Sequence, residues 1–294
     1  MEKYLEVFLE RLPHQSLFEN VEIFLDLNEP NTNELKIVKK YQKMYGSRLN
    51  VHVAKKVDPI GASMNRCINQ SKGDFLAIWN VDDLRTHNSL EQQLKTFEEF
   101  PNSALVYGPY KVVNEFNSEK GRLVDNQRLS PQKFKSGMSA GPFFLFPRSH
   151  ISKIGLFDEQ LKSGADFDFV QRLLTVGEAN STTALLGYYL DEGLGASTRP
   201  NSKQPIERTV IELRYGKIAT IDPFYLDSVG DYDLSRILVS GKWIRLDELI
   251  SNYSDLRSEN ARAFKNYLQM RRKVIKVLFF PKRFFQFIQK KLRH

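Results

Sequence analysis

The chain has 294 residues, 41% hydrophobic and 27% charged, enough apolar material for one large folded body and too much for a disordered chain. Its net charge of +8 is unevenly placed: residues 263–294 carry ten Lys or Arg and no acid, which leaves −2 on residues 1–262. A near-neutral body argues against a nucleic-acid groove, the single Cys67 excludes an internal disulfide and suits a reducing compartment, and no apolar run approaches the ~20 residues of a membrane span.

Tyr4, Leu5, Phe8, Leu9 and Leu12 recur at helical spacing until Pro13 stops them. Acids inside that helix distinguish it from a secretory signal. Val21–Leu25 predicts a strand ending at Asp26, and Asn28 to Asn33 is loop chemistry. Leu35, Val38, Tyr41 and Tyr45 outline a helix that Gly46 stops. Leu49–Val53 reads as a strand, Gly61–Ile68 as a helix and Phe75–Trp79 as a strand. Strand–helix–strand–helix–strand is the signature of a parallel sheet with crossover helices.

Further along, Leu90, Leu94, Phe97 and Phe100 mark a helix, and Ala104–Tyr107 and Tyr110–Val113 read as strands. The polar stretch 117–137 has the length of a functional lid. Gly141–Phe146 is an apolar strand, Ser149–Ile154 a short helix, Gly164–Leu174 a helix with Asp166 and Asp168 in its first turn, and Thr183–Leu190 a last strand. Residues 1–200 therefore form the body. Residues 201–262, with helical patches at 206–215, 233–238 and 245–253, form an extension packed on it. In residues 263–294, aromatic and aliphatic side chains such as Tyr267, Val274, Phe284 and Phe285 interleave with the basic ones. That pattern suits an interfacial helix on an anionic membrane surface, or a helix packed on the body or on a partner.

One stretch concentrates the chemistry: the apolar Phe75–Trp79 runs straight into Asn80-Val81-Asp82-Asp83. Such a run reads as a strand buried on both faces, with Trp79 in the core. Ligands collect beyond the carboxyl ends of strands in open α/β sheets. Adjacent carboxylates there repel each other unless a cation joins them, and a divalent metal carrying phosphate would do so. The alternative is that Asp82 and Asp83 cap the helix beginning near Asn88. Likewise Asp26 is either a turn residue or a ligand contact, and Asp166 and Asp168 are either dipole-favoured acids or site residues. His52, His87 and His150 have no metal-like spacing.

In chain order, the strand ending at Asp26, Gly61-Ala-Ser-Met-Asn65, Lys72-Gly-Asp-Phe75, Asn80-Val-Asp82-Asp83, Ile154-Gly-Leu-Phe-Asp158-Glu159 and Gly164-Ala-Asp166-Phe-Asp168 resemble the GT-A-fold, family 2 glycosyltransferases. The resemblance implies an α/β GT-A fold: a Rossmann-like, mostly parallel central sheet with flanking helices, here followed by a C-terminal helical extension. It implies that Asp82 holds Mg²⁺ or Mn²⁺ on the diphosphate of a nucleotide-sugar donor. It places Asp26 on the donor's base and Asn80 on the donor side. Asn65 either faces the sugar nucleotide or caps or braces the loop that carries it, Asp83 is a loop or acceptor-side residue, and Asp168 is structural or faces the acceptor. Asp166 would be the catalytic base, taking a proton from the hydroxyl of a glycan or lipid-linked acceptor as the anomeric carbon inverts. The expected enzyme is cytoplasmic and held at the inner membrane face by residues 263–294, with no nucleic-acid partner.

Three positions depart from the family. Asn80 stands where an acid is usual, and Ala165 replaces a Glu. The third is the start: the family's central first strand, of the type apolar-apolar-Pro-x-Tyr-Asn, would precede the helix at which this sequence begins. Its absence would leave unpaired backbone on its neighbours. Either the recorded sequence starts at an internal Met, or another segment fills the gap, or the protein is a degraded copy, a non-catalytic GT-A-like binding or scaffold protein.

Overall fold

A computed structural model describes residues 2–127, 129, 139–193, 202–215 and 223–253. Helix α1 (Glu2–Arg11) buries Leu5, Phe8 and Leu9 one turn apart. A 3₁₀ turn over Phe18–Asn20 delays the extended chain, so β1 is Ile23–Asn28. Asp26 therefore lies inside the strand instead of at its end. β1 pairs in parallel with β2 (Leu49–Ala54), Ile23 opposite Leu49 and Asp26 opposite His52. Helix α2 (Thr32–Tyr45) joins them. Asn31 caps it by accepting the N–H groups of Asn33 and Glu34, and Glu34 accepts the Asn31 N–H in return. Helix α3 (Ile60–Gln70) packs on β1 on its way to β3 (Phe75–Ala77).

The body continues through β4 (Leu84–Arg85), α4 (Ser89–Glu99), β5 (Ser103–Tyr107), β6 (Tyr110–Val113) and β7 (Arg122–Val124). Then follow β8 (Leu145–Pro147), α5 (Ile151–Ile154), α6 (Ala165–Leu173), β9 (Glu178–Ser181) and β10 (Gly187–Leu190). Strands β3-β8-β5-β9 form one sheet and β4-β10-β6-β7 another. The expected mostly parallel sheet is instead mixed. β5·β9 and β6·β10 are parallel, whereas β3·β8, β5·β8, β4·β10 and β6·β7 are antiparallel. The last strand expected over 183–190 is shorter, β10 covering only Gly187–Leu190, and β9 precedes it at Glu178–Ser181. Gly187 sits where β10 crosses β4, and a Cβ there would lie 2.4 Å from the Leu84 carbonyl oxygen.

Among the described residues no ladder joins β1 to β3, although their neighbourhoods touch. The Glu22 carboxylate accepts the N–H groups of Lys72 (2.5 Å) and Gly73 (2.6 Å). Trp79 stands edge-to-face on Phe8 at 5.2 Å, in a cluster with Ile23 and Leu25. The expectation of a strand buried on both faces is corrected: only Phe75–Ala77 enters a ladder, and Phe75 and Ala77, which share one face of β3, are exposed while Leu76 is buried. Trp79 does belong to the core.

The extension is not wholly helical. After α7 (Gln204–Arg214) come β11 (Arg236–Val239), β12 (Lys242–Arg245) and α8 (Leu246–Leu249). Val239 pairs with Lys242 around Ser240-Gly241, both at positive φ (49° and 77°). A two-residue loop with that backbone turns a hairpin, which overrides the helical spacing read at 233–238. Val210, Ile211, Ile237 and Leu246 are fully buried in the same core as Phe157 and Phe169, so the extension and the body share one interior. Residues 263–294 lie outside the described residues.

Candidate active site

On β1, Asp26 is buried and closely partnered. Arg66 on α3 grips it with two nitrogens, Nε to Oδ1 at 3.0 Å and Nη2 to Oδ2 at 2.7 Å. His52 Nδ1 lies 2.5 Å from Oδ1, and Asn28 donates at 3.3 Å. Burial opposes the charge on Asp26, but the hydrogen bonds from Arg66, Ser63 and His52 outweigh it and hold the carboxyl below the usual range. Asp58 receives Arg66 Nη1 at 2.9 Å. Any base contact by Asp26 must share these donors. One residue before Arg66, Asn65 faces elsewhere. It donates to the Phe157 carbonyl and the Glu159 carboxylate, both at 2.9 Å, and accepts the Phe157 N–H at 2.8 Å. All its polar capacity goes into tying α3 to the segment before α6, so Asn65 is a brace and not a free donor toward a sugar nucleotide.

Beyond β3 the chain turns back, the Asp83 N–H bonding the Asn80 carbonyl at 3.1 Å and Trp79 Nε1 donating to the Asp83 carbonyl at 2.8 Å. Asp82 is half-buried, and among the described residues no Lys, Arg or His lies in ion-pair range of it. Burial, assisted by Glu192, raises its pKa. Asp83 points inward, where it accepts the Leu190 N–H at 3.2 Å and Asn80 Nδ2 at 3.3 Å. Burial first, then Asp82, pushes its carboxyl up to about 8. Of the two expectations for Asp83, a loop residue or an acceptor-side one, its burial beneath β10 fits a support within the loop, and Asn80 braces it. Arg85 is buried between Trp79 and Phe143, 5.3 Å from each ring, with Nη1 donating to Gln93 at 2.9 Å. Nothing in its surroundings in the sequence signals that role.

At the start of α6 the two acids divide. Asp166 is half-buried and accepts the Phe167 N–H at 2.8 Å. Burial outweighs its backbone hydrogen bonds, and with Glu207 nearby raises the carboxyl to about 6. Asp168 is wholly buried in an ionic cluster, with Oδ2 meeting Arg172 Nε at 2.9 Å and Oδ1 accepting from Arg214 at 2.7 Å and Tyr215 at 2.9 Å. Burial opposes its charge, but the two guanidiniums prevail and lower its pKa. Asp158 joins through Arg214 Nη2 at 2.8 Å. Asp168 therefore belongs to the core and not to an acceptor surface, which corrects its assignment. Arg172 was legible as the i+4 partner of Asp168; Arg214, 46 residues away, was not.

Comparison with known proteins gives the family. The model described as "Glycosyl transferase family 2" matches residues 2–155, more than half of the chain, and the chain belongs to that family. An uncharacterized glycosyltransferase of Methanocaldococcus jannaschii is 26% identical over 176 residues, which take in 57% of this chain and 59% of that protein. S. aureus TarS, solved in complex with UDP-GlcNAc, is similar at TM-score 0.58 and 16% identity over 77% of this chain and 66% of that one. GalNAc-T7, solved with UDP, GalNAc and Mn²⁺, is similar at TM-score 0.55 and 14% identity over 80% and 48%. At those identities the structures support the GT-A-like α/β fold. The family match ends before Asp166.

Proposed function

We propose that the protein is a metal-assisted, inverting glycosyltransferase that moves a sugar from a nucleotide-sugar donor to a glycan or lipid-linked acceptor. The observation that carries this reading is Asp82: a half-buried carboxylate with no basic partner among the described residues, in the turn beyond β3 and beside the buried Asp83. A hard cation that keeps water and phosphate as its other ligands needs only one or two protein carboxylates. Asp82 would hold Mg²⁺ or Mn²⁺, and that ion would neutralise the charge developing on the leaving diphosphate. UDP and Mn²⁺ in the structure of GalNAc-T7 and UDP-GlcNAc in that of TarS support this choice of donor and ion.

At the other side of the site, Asp166 takes the proton of the acceptor hydroxyl while that oxygen bonds the anomeric carbon. The bond from that carbon to the phosphate oxygen breaks, and the nucleoside diphosphate leaves with its electron pair. A carboxyl held at about 6 is ionised at neutral pH yet more basic than a free one. The basic, aromatic-rich residues 263–294 would hold the enzyme on anionic lipid, beside a lipid-linked acceptor. Flotation with phosphatidylglycerol vesicles should lose the protein when the chain ends at residue 260; equal flotation of both forms rejects the membrane part.

The test of the reaction is turnover of a panel of UDP-, GDP- and dTDP-linked sugars, with Mn²⁺ and with chelator. Metal-dependent release of nucleoside diphosphate, lost in Asp82→Asn and Asp166→Asn, is expected. Failure to bind or turn over any member favours the scaffold reading, to which the edges of β1 and β3 that are unpaired among the described residues would lend physical sense.

A further inference from the structure

Gly164 is the N-cap of α6 and has no side chain, and the first-turn Phe167 N–H is accepted by Asp166 itself. The three N–H groups just before the helix, those of Lys162, Ser163 and Gly164, are taken up from α7, which enters the core from the extension. Glu207 is 0% exposed. Its Oε1 accepts the Lys162 N–H at 2.9 Å and the Tyr232 hydroxyl at 3.2 Å. Its Oε2 accepts the Ser163 N–H at 2.7 Å, the Gly164 N–H at 2.8 Å and the Ser163 hydroxyl at 3.1 Å. Five donors thus converge on one carboxylate, which also lies at the favourable end of the α6 dipole. The fit leaves no slack: a Cβ on Gly164 would come 3.0 Å from Ile211 Cδ1 and 3.3 Å from Glu207 Cβ, both on α7. Ser163 and Gly164 are three and two residues before Asp166.

We propose that Glu207 is a positioning residue for Asp166: by holding the 162–164 backbone against α7 it sets where the carboxylate of Asp166 stands relative to the acceptor hydroxyl. This rests on the reading of Asp166 as the base. Proton transfer requires hydrogen-bond reach, and a displacement of about 1 Å costs as much as 10²-fold. Glu207 touches no reacting atom; its effect passes through the loop. The donor side of the site, on β1 and beyond β3, makes no contact with this carboxylate among the described residues.

The test is a double-mutant cycle on the full chain, using whichever sugar nucleotide the wild type turns over, with segment-resolved hydrogen exchange alongside. Glu207→Gln should lower kcat about tenfold, leave KM for the sugar nucleotide within about twofold, and speed exchange at 162–164 without changing 21–28. In the Asp166→Asn background the same substitution should change residual turnover by less than about twofold, since the group it positions is gone. If Glu207→Gln fails to fold, Tyr232→Phe and Ser163→Ala, which each remove one donor, take its place, with losses of about two- to fivefold expected. Full activity in the clamp variants overturns the proposal, as does an equal fold-loss in both backgrounds, which is the mark of a purely structural role. Full activity of Asp166→Asn instead overturns the base assignment on which it stands, and a wild type that turns over no sugar nucleotide overturns the activity itself.

Discussion

The two sides of the proposed site are built on opposite principles. The proposed donor side rests on β1–β2 and β3, strands whose edges are unpaired among the described residues and are bridged by side chains: Glu22 onto the Lys72–Gly73 backbone, Trp79 onto Phe8. Its acids are either gripped, as Asp26 is by Arg66, or lack a basic partner among the described residues, as Asp82 does. The base side rests on α6 and α7, where two carboxylates and two guanidiniums are sealed in one core and a buried Glu caps the loop. The contrast suggests a division of labour. A side that must take in a charged nucleotide keeps a charge uncompensated and a sheet edge open, whereas a side that must hold one proton acceptor in place spends buried ion pairs on rigidity. Asn65 and Gly61 link them, the first by hydrogen bonds to Phe157 and Glu159, the second by packing against the Asp158 backbone.

The largest effect should come from Asp166→Asn, which removes the proton acceptor but neither the ionic core nor the clamp. Turnover should fall about 10²- to 10⁴-fold with the thermal midpoint held; loss of fold with loss of activity would merge the two roles that the contrast separates. Next is Arg214→Met, which leaves Asp158 and Asp168 buried without their shared cation. Urea unfolding should show about 3–5 kcal/mol of lost stability, and a change below about 1 kcal/mol would mean the base side is no more rigidly built than the donor side. Glu22→Gln at the open edge should cost only about 1 kcal/mol, seen as faster exchange at 72–73 with β5 unchanged.

The smallest effect is in pH. Because the Asp166 carboxyl lies near 6, turnover should rise with pH up to that value and then level, as the base becomes ionised. Stability runs the other way. A carboxyl whose folded pKa is raised stabilises the fold while protonated, and that contribution fades as pH climbs from about 4 through 6. Asp166→Asn should abolish the acid limb of turnover and lessen the loss of stability between about pH 4 and 6, while Asp83, pushed up to about 8, keeps its own contribution; an unchanged acid limb would assign the titration to another group.

Much of this was legible in the sequence. The crossover pattern to β3, the core placement of Trp79 and the helix carrying Asp166 follow from apolar spacing and turn residues. What spacing could not reveal is which side of a strand or helix an acid faces once its partners lie far along the chain. Asp83 and Asp168 look like site acids in one dimension, but in space they meet Leu190 and Arg214, over 40 residues away. Asn65 looked like a ligand contact because its bonds to Phe157 and Glu159 are equally remote. The hairpin at Ser240-Gly241 was readable from its turn residues, but the apolar spacing beside it suggested a helix.

The central claim is that nucleotide binding and proton acceptance are held by separate sides of the site. Calorimetric titration of UDP, with and without Mn²⁺, into wild type, Asp82→Asn and Asp166→Asn tests it most directly. Metal-dependent binding, weakened at least about tenfold in Asp82→Asn and unchanged in Asp166→Asn, is the predicted result. Binding that ignores Mn²⁺, or that Asp166→Asn weakens as much as Asp82→Asn does, would contradict it.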